Sequence, residues 1–192
     1  MVDVVKKSVL AGVMIAIGSL IYVNCENKVV GSVFFSIGLL AVIRLGLNLY
    51  TGKVGYVRKF TTFAHTLFIF LFNCVGCMVV FPYSNDVASS IVSSKLSAPL
   101  QIAFINAIIC GILIFVAVQC KDNLITVFSV AGFILCGAEH SVADVCYIIM
   151  AKEFTIKSLI FVSVVVVGNA VGSIVFSTLL SSKEDKKRLI KE

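Results

Sequence analysis

Charge is what this sequence has least of. Asp, Glu, Lys and Arg make up only 14% of its 192 residues, while 59% are hydrophobic. A soluble domain is about a quarter charged and about half apolar, and a chain of this size has no core that could hide the excess. An ordinary water-soluble enzyme is excluded. Catalytic parts are missing as well: the sequence offers no cluster with metal-ligand spacing, no paired nucleophile and base, and no phosphate-binding glycine loop of adequate specificity. Nor is there a polar stretch long enough for a nucleotide-binding domain, so this chain cannot drive primary active transport alone. The expectation is a non-enzyme with no cofactor and no metal. Seven cysteines, an odd number, argue against a disulfide framework. Cys74 and Cys77 form C-x-x-C, but with no second Cys or His pair nearby they read as packing residues inside an apolar run.

What is present is a series of apolar runs. A helix needs about 20 apolar residues to cross a hydrocarbon core of about 30 Å. Six runs approach that length, at positions 8–23, 29–47, 60–81, 100–120, 124–150 and 158–180. The first follows Lys6 and Lys7 and has no A-x-A-like cleavage pattern, so it reads as a retained span. The net charge of +6 sits in short basic clusters between the runs, which points away from nucleic acid. With both termini in the cytoplasm, eleven of the 16 Lys and Arg fall inside and Lys28, Lys95, Lys152 and Lys157 fall outside, with Arg44 within the second run. The positive-inside rule selects this orientation in the cell (cytoplasmic) membrane. Positions 1–180 then form one transmembrane channel domain, and 181–192 a short basic cytoplasmic tail.

The halves of the chain echo each other. Asn73-Cys74-Val75-Gly76 returns as Asn169-Ala170-Val171-Gly172, 96 positions on. The stretch from Gly46 to Gly52 aligns with Gly137 to Ala143 at an offset of 91, and Ala11 to Ile15 aligns with Cys110 to Ile114 at 99. Three matches in one order indicate two repeats, about 8–81 and about 100–180. Each has an odd number of spans, so the second enters the membrane inverted. The expected fold is therefore all-α, with six transmembrane helices as an inverted three-plus-three repeat. Its second and fifth helices are broken, at Gly46, Asn48, Thr51 and Gly52 and at Gly137, Glu139, His140, Ser141 and Asp144. Broken backbone survives at membrane depth only where it faces protein or a water-filled cavity, so these two points locate a pore.

His140 is the main candidate for chemistry. It stands in the middle of the fifth run beside Glu139 and ahead of Asp144, where an ionisable group is expensive and marks a proton or ion path. Its unperturbed pKa of about 6.5 suits proton exchange near neutral pH. The alternative is a neutral histidine that only hydrogen-bonds a broken helix. Thr51 occupies the opposite break and can offer a hydrogen bond to an anion or to His140. Asn73 reads as a helix lock, while Asn169 is open between locking and facing the site. His65, near the basic cluster Arg58-Lys59, reads as interfacial. Phe35, Leu39, Tyr50 and Phe133 are candidates for apolar constrictions, with ordinary packing as the alternative.

These residues carry a family resemblance. The segments AGVMIAIG from Ala11, FSIGLLAVIRLGLNLYTG from Phe35, NCVG from Asn73, GAEHSVA from Gly137 and GNAVG from Gly168 resemble the formate/nitrite transporter family, in the family's order and across all six spans. The resemblance implies an aquaporin-like protomer in a homopentamer, with one pore per protomer. It places the family's central histidine on His140, the facing threonine on Thr51, the sixth-span asparagine on Asn169 and the vestibule lysine on Lys95. The constrictions fall on Phe35, Leu39, Leu49, Tyr50 and Phe133, with Glu139, Asp144 and Asn73 in support. Four positions depart from the family pattern: Asp144 where asparagine is usual, Gly111 where asparagine is frequent, Tyr50 where phenylalanine is usual, and Arg44 where the family is apolar, a subunit contact or a snorkelling cation.

The expected function is passive, proton-linked passage of small monovalent anions of the formate, nitrite or hydrosulfide type. Lys95 would draw the anion in, and protonation would let it cross the apolar rings as a neutral species. The expected partners are those anions, protons, membrane lipid and further copies of the chain. The rivals are a channel for neutral small solutes such as water or ammonia, and a structural or sensory membrane protein without flux.

Overall fold

A computed structural model describes residues 1–181; the expected tail at 181–192 lies outside the described residues beyond its first position. The described chain is helical throughout. Its helices are α1 (Val2–Asn24), α2 (Lys28–Arg44), α3 (Tyr50–Lys53), α4 (Phe60–Cys77), α5 (Asp86–Ser97), α6 (Leu100–Cys120), α7 (Asn123–Leu135), α8 (Ser141–Ala151) and α9 (Ile156–Leu180). Single 3-10 turns, Val54–Tyr56 and Met78–Val80, follow α3 and α4. Four of these stretches, at α1, α4 with its 3-10 turn, α6 and α9, are long and apolar enough to cross a membrane unbroken. Helices of this length and composition are those of a multi-pass membrane protein.

The remaining two runs are interrupted. The second ends as a helix at Arg44, and a short α3 resumes after an irregular stretch at 45–49. The fifth splits into α7 and α8 around 136–140. The break chemistry is local. Gly46 and Gly137 hold φ of +62° and +71°, which L side chains rarely adopt, and each follows the last turn of its helix. The next backbone N–H groups then fold back, Leu47 N onto Val42 O and Ala138 N onto Phe133 O, both at 2.9 Å. Helix starts are equally explicit: Asn27, Asn85, Asp122 and Thr155 cap α2, α5, α7 and α9 through their side chains.

The amphipathic α5 is the one element of this length that the six-run pattern did not contain. Rich in serine, it lies between Pro82 and Pro99 and packs on α8. Elsewhere small residues let helices touch. α1 packs on α4 with Gly12 and Gly76 at the contact, and α6 packs on α9 through Gly111 and Gly172. A Cβ at Gly12 would lie 2.0 Å from Asn73 O, and one at Gly111 2.3 Å from Asn169 O. Large apolar side chains such as Phe34, Leu71, Phe128 and Leu159 point outward, as hydrocarbon or a neighbouring protomer requires. Arg44, expected as a subunit contact or a snorkelling cation, ties α2 to α7: its Nε and Nη2 donate to Asn123 Oδ1 at 3.1 and 2.6 Å.

The close approach at Gly111 predicts that Gly111→Val forces α6 and α9 apart. Overpacking of this kind costs about 1–3 kcal/mol. Thermal unfolding of the detergent-solubilised protein should show a drop of several degrees, and an unchanged midpoint would contradict the contact.

Candidate functional site

Two asparagines organise the breaks. Asn73 Oδ1 accepts from Tyr50 N at 2.9 Å, while its Nδ2 donates to Ser8 O at 2.7 Å and Asn48 O at 2.9 Å. Asn169 Oδ1 accepts from Ser141 N at 3.0 Å, while its Nδ2 donates to Ala107 O at 2.9 Å and Glu139 O at 2.8 Å. The partners correspond one to one at the offsets seen in the sequence. Backbone follows suit, with Asn48 N donating to Lys7 O and Glu139 N to Asn106 O. Asn169 thus does what was expected of Asn73: its amide is engaged by backbone and does not present a free donor to a pore. This corrects its assignment as a substrate-contacting residue.

The two breaks meet at Thr51 and His140. Thr51 Oγ1 and His140 Nε2 lie 2.9 Å apart, and both side chains are buried. The tautomer follows from the other ring nitrogen. His140 Nδ1 accepts from Ala143 N at 3.1 Å, capping α8, so it carries no proton and the neutral ring donates from Nε2 to Thr51. The hydroxyl proton of Thr51 is left to point elsewhere. Phe133 stacks on His140 with ring centres 5.6 Å apart, and Phe35 meets Phe133 edge to face at 5.9 Å. Leu39 and Leu49 belong to the same buried apolar cluster.

Tyr50 does not join them. Its hydroxyl donates to Val166 O at 2.9 Å, its ring stands edge to face on Phe70, and it packs with Val54, Val57, Ile69 and Val166 in a separate cluster. The expected constriction role of Tyr50 is corrected to a packing role between α4 and α9. In a single helical turn such as α3, neighbouring side chains leave in different directions, so Thr51 and Tyr50 face opposite partners.

Two cavities lie near this contact. The larger, about 440 Å³, is lined by Phe133, His140, Glu139, Asp144, Lys95 and Tyr147 among others. The smaller, about 340 Å³, is lined by Leu49, Gly52, Lys53, Tyr56, Val118 and Lys121 among others. Lys53 and Lys121 were not singled out from sequence; their signal is that each flanks an apolar run at the same end as a break. Lys95 does reach the larger cavity, but not as a free cation. Its ammonium bonds Glu139 and lies 3.0 Å from Asp144 Oδ1. The expected attraction of anions by a bare lysine is therefore corrected to a charge held by two carboxylates.

His65 is exposed near the start of α4 and stacks on Phe68, away from this centre. Among the described residues no group of three or more His, Cys, Asp or Glu is placed to hold a metal.

The comparisons with known proteins come to one family. The model of the family described as "Formate/nitrite transporter" matches residues 1–182. A solved structure titled "FNT family ion channel" is similar with a TM-score of 0.77 and 21% identity, covering 93% of this chain and 86% of that one. Another, "Pentameric formate channel with formate bound", has a TM-score of 0.73 and 20% identity, covering 98% and 96%. No curated protein matches.

The amide clamp predicts a specific cost for Asn169→Leu. It strands Ser141 N and Glu139 O, each worth about 1–3 kcal/mol when buried and unpaired, while Ala107 O keeps its place in the α6 ladder. A loss of thermal stability larger than that of Tyr50→Phe, which removes one hydrogen bond, is expected in the same unfolding assay. Equal midpoints would contradict the clamp.

Proposed function

Because the chain belongs to the formate/nitrite transporter family, we propose that it is a passive, proton-linked channel for small monovalent anions of the formate, nitrite or hydrosulfide type. Membership of a transporter family also means that it is not an enzyme. The architecture in this reading is six spans in an inverted three-plus-three repeat, aquaporin-like, with one pore in each protomer of a homopentamer. Its place is the cell (cytoplasmic) membrane, with both termini cytoplasmic.

The observation that carries the proposal is the Thr51 to His140 bond, with a cavity lined by His140 and another lined by the neighbours of Thr51, and with Phe133 stacked on His140 and Phe35 on Phe133 in an apolar core that includes Leu39 and Leu49. A bare anion entering that core loses its hydration and finds two polar side chains in return. The cost of burying an unpaired charge far exceeds what one or two hydrogen bonds restore. A protonated, neutral species pays only for its polar groups, which Thr51 and His140 can satisfy in passing. The barrier thus favours the acid over its anion. The cations differ between the cavities: Lys53 and Lys121 line the smaller, and among the described residues its lining holds no carboxylate, so that mouth attracts anions.

A neutral-solute channel shares the apolar core but gives no reason for lysines at a mouth. In proteoliposomes, an inward formate gradient should alkalinise the source side through acid uptake. His140→Phe should cut that pH change about tenfold, the effect of losing one hydrogen bond of about 1.5 kcal/mol to the passing acid. Electrogenic formate flux without pH change, identical in parent and variant, would overturn proton linkage; solute-driven swelling with no formate flux would favour the neutral-solute reading.

A further inference from the structure

The charges beside the larger cavity do not balance. Lys95 on α5 serves both Glu139 and Asp144, which are 6% and 2% exposed. The titratable groups that face this region are Tyr22 on α1, Cys74 and Cys77 on α4, Lys95, Cys110 on α6, Cys136, Glu139 and His140 in the break, and Cys146 and Tyr147 on α8 itself. The buried residues of α9 include none. Lys95 is the only cation in this described set, because the bond from Ala143 N keeps His140 Nδ1 unprotonated. One ammonium therefore faces two buried carboxylates.

The second observation concerns one atom. Asp144 Oδ2 is buried with no hydrogen-bond partner, although Asp144 lines the cavity. A buried carboxylate is tolerated when its oxygens are met by donors and charge; here Lys95 meets Oδ1 alone, and shares its charge with Glu139. As a carboxylic acid it loses the charge, and Glu139, held by the same ammonium, is a carboxylate beside it that can share the proton. An anion that enters the cavity lined by both residues is a second acceptor.

We propose that Asp144 carries a proton in the resting site, sharing Lys95 with ionised Glu139, and hands it to a weak-acid anion entering the larger cavity. The inference rests on the anion-channel reading above. In the step, the O–H bond at Asp144 Oδ2 breaks and a lone pair on a formate oxygen takes the proton. Formic acid and the Asp144 carboxylate result, and the total charge is unchanged. The neutral acid moves on to the ring of Phe133 and Phe35. The site, now net negative, repels another anion until hydronium from the solution on that side restores the proton. The same residues act in reverse for exit, with the acid returning its proton to Asp144.

Two measurements test it separately. Infrared difference spectra of the purified full chain, parent against Asp144→Asn at pH 7, should contain a protonated carboxyl band that shifts in D2O and that Asp144→Glu retains. Absence of the band in the parent overturns the proposal whatever the channel carries. In proteoliposomes, Asp144→Asn should lower formate uptake about tenfold or more and flatten its dependence on pH. Nitrate, the anion of a strong acid, takes no proton here, so any nitrate leak should stay level, because neutral asparagine replaces a neutral acid. An equal fall for both anions would mean a structural role and overturn the donor role. A parent that moves no formate defeats the anion-channel reading, and with it the transfer step, while the infrared result still decides whether Asp144 holds a proton.

Discussion

Backbone polar groups at membrane depth must find partners within the protein, and the rest of this structure depends on how that is done at two broken helices. Stopping α2 at Arg44 and α7 at Leu135 frees carbonyls and amides that no water in the hydrocarbon can satisfy. Asn73 and Asn169 answer with a short amide side chain that offers an acceptor and two donors at one end. Each grips an amide and a carbonyl of its break and a carbonyl of the neighbouring long helix. The glycines at the α1 to α4 and α6 to α9 contacts follow from this. An asparagine can reach across only if the helices touch, and at Gly12 and Gly111 they do, against the very backbone of Asn73 and Asn169.

The clamps leave two loose ends pointing at each other. Tyr50 N and Ser141 N are the amides held, so Thr51 follows the first and His140 precedes the second. Their meeting at 2.9 Å is thus a consequence of the scaffold, with both backbones fixed beside the reacting side chains. A site held by main-chain contacts one residue away has little freedom to drift, which is what a narrow passage for a small ion requires.

Much of this was readable in the sequence because polar residues stand out against an apolar background. The offsets of 91, 96 and 99 between halves reappear as hydrogen-bond partners, and Gly46 and Gly137 mark the breaks. The unbroken spans at α1, α6 and α9 lie within a few residues of the apolar runs. What was not readable depends on direction and distance in space. The turn at α3 has no periodicity from which to tell that Tyr50 faces Phe70 while Thr51 faces His140. Asn169 carries the same residue type whether it binds substrate or backbone. The partners of Lys95 lie 44 and 49 positions away, beyond any local pattern, and α5 itself is too polar and serine-rich to register among apolar runs.

The cap on α8 constrains how protons can move. His140 gives its Nδ1 lone pair to Ala143 N, so an imidazolium would need to put a second proton where an N–H already points. Protonating the ring there means breaking the cap at the start of a buried helix, whose loss typically costs about 1 kcal/mol, plus the cost of the buried charge. In the proposed pore His140 therefore serves as a neutral donor through Nε2, with Thr51 as the rotatable partner that can accept from the ring and donate to a passing oxygen. The proton that neutralises an anion must then be held elsewhere. Asp144 lies on the same helix, four residues on, where its oxygens meet Lys95 and the cavity instead of the ring. Separating the group that carries the proton from the groups that guide the neutral acid lets His140 keep one protonation state while Asp144 cycles, so the α8 cap survives every cycle.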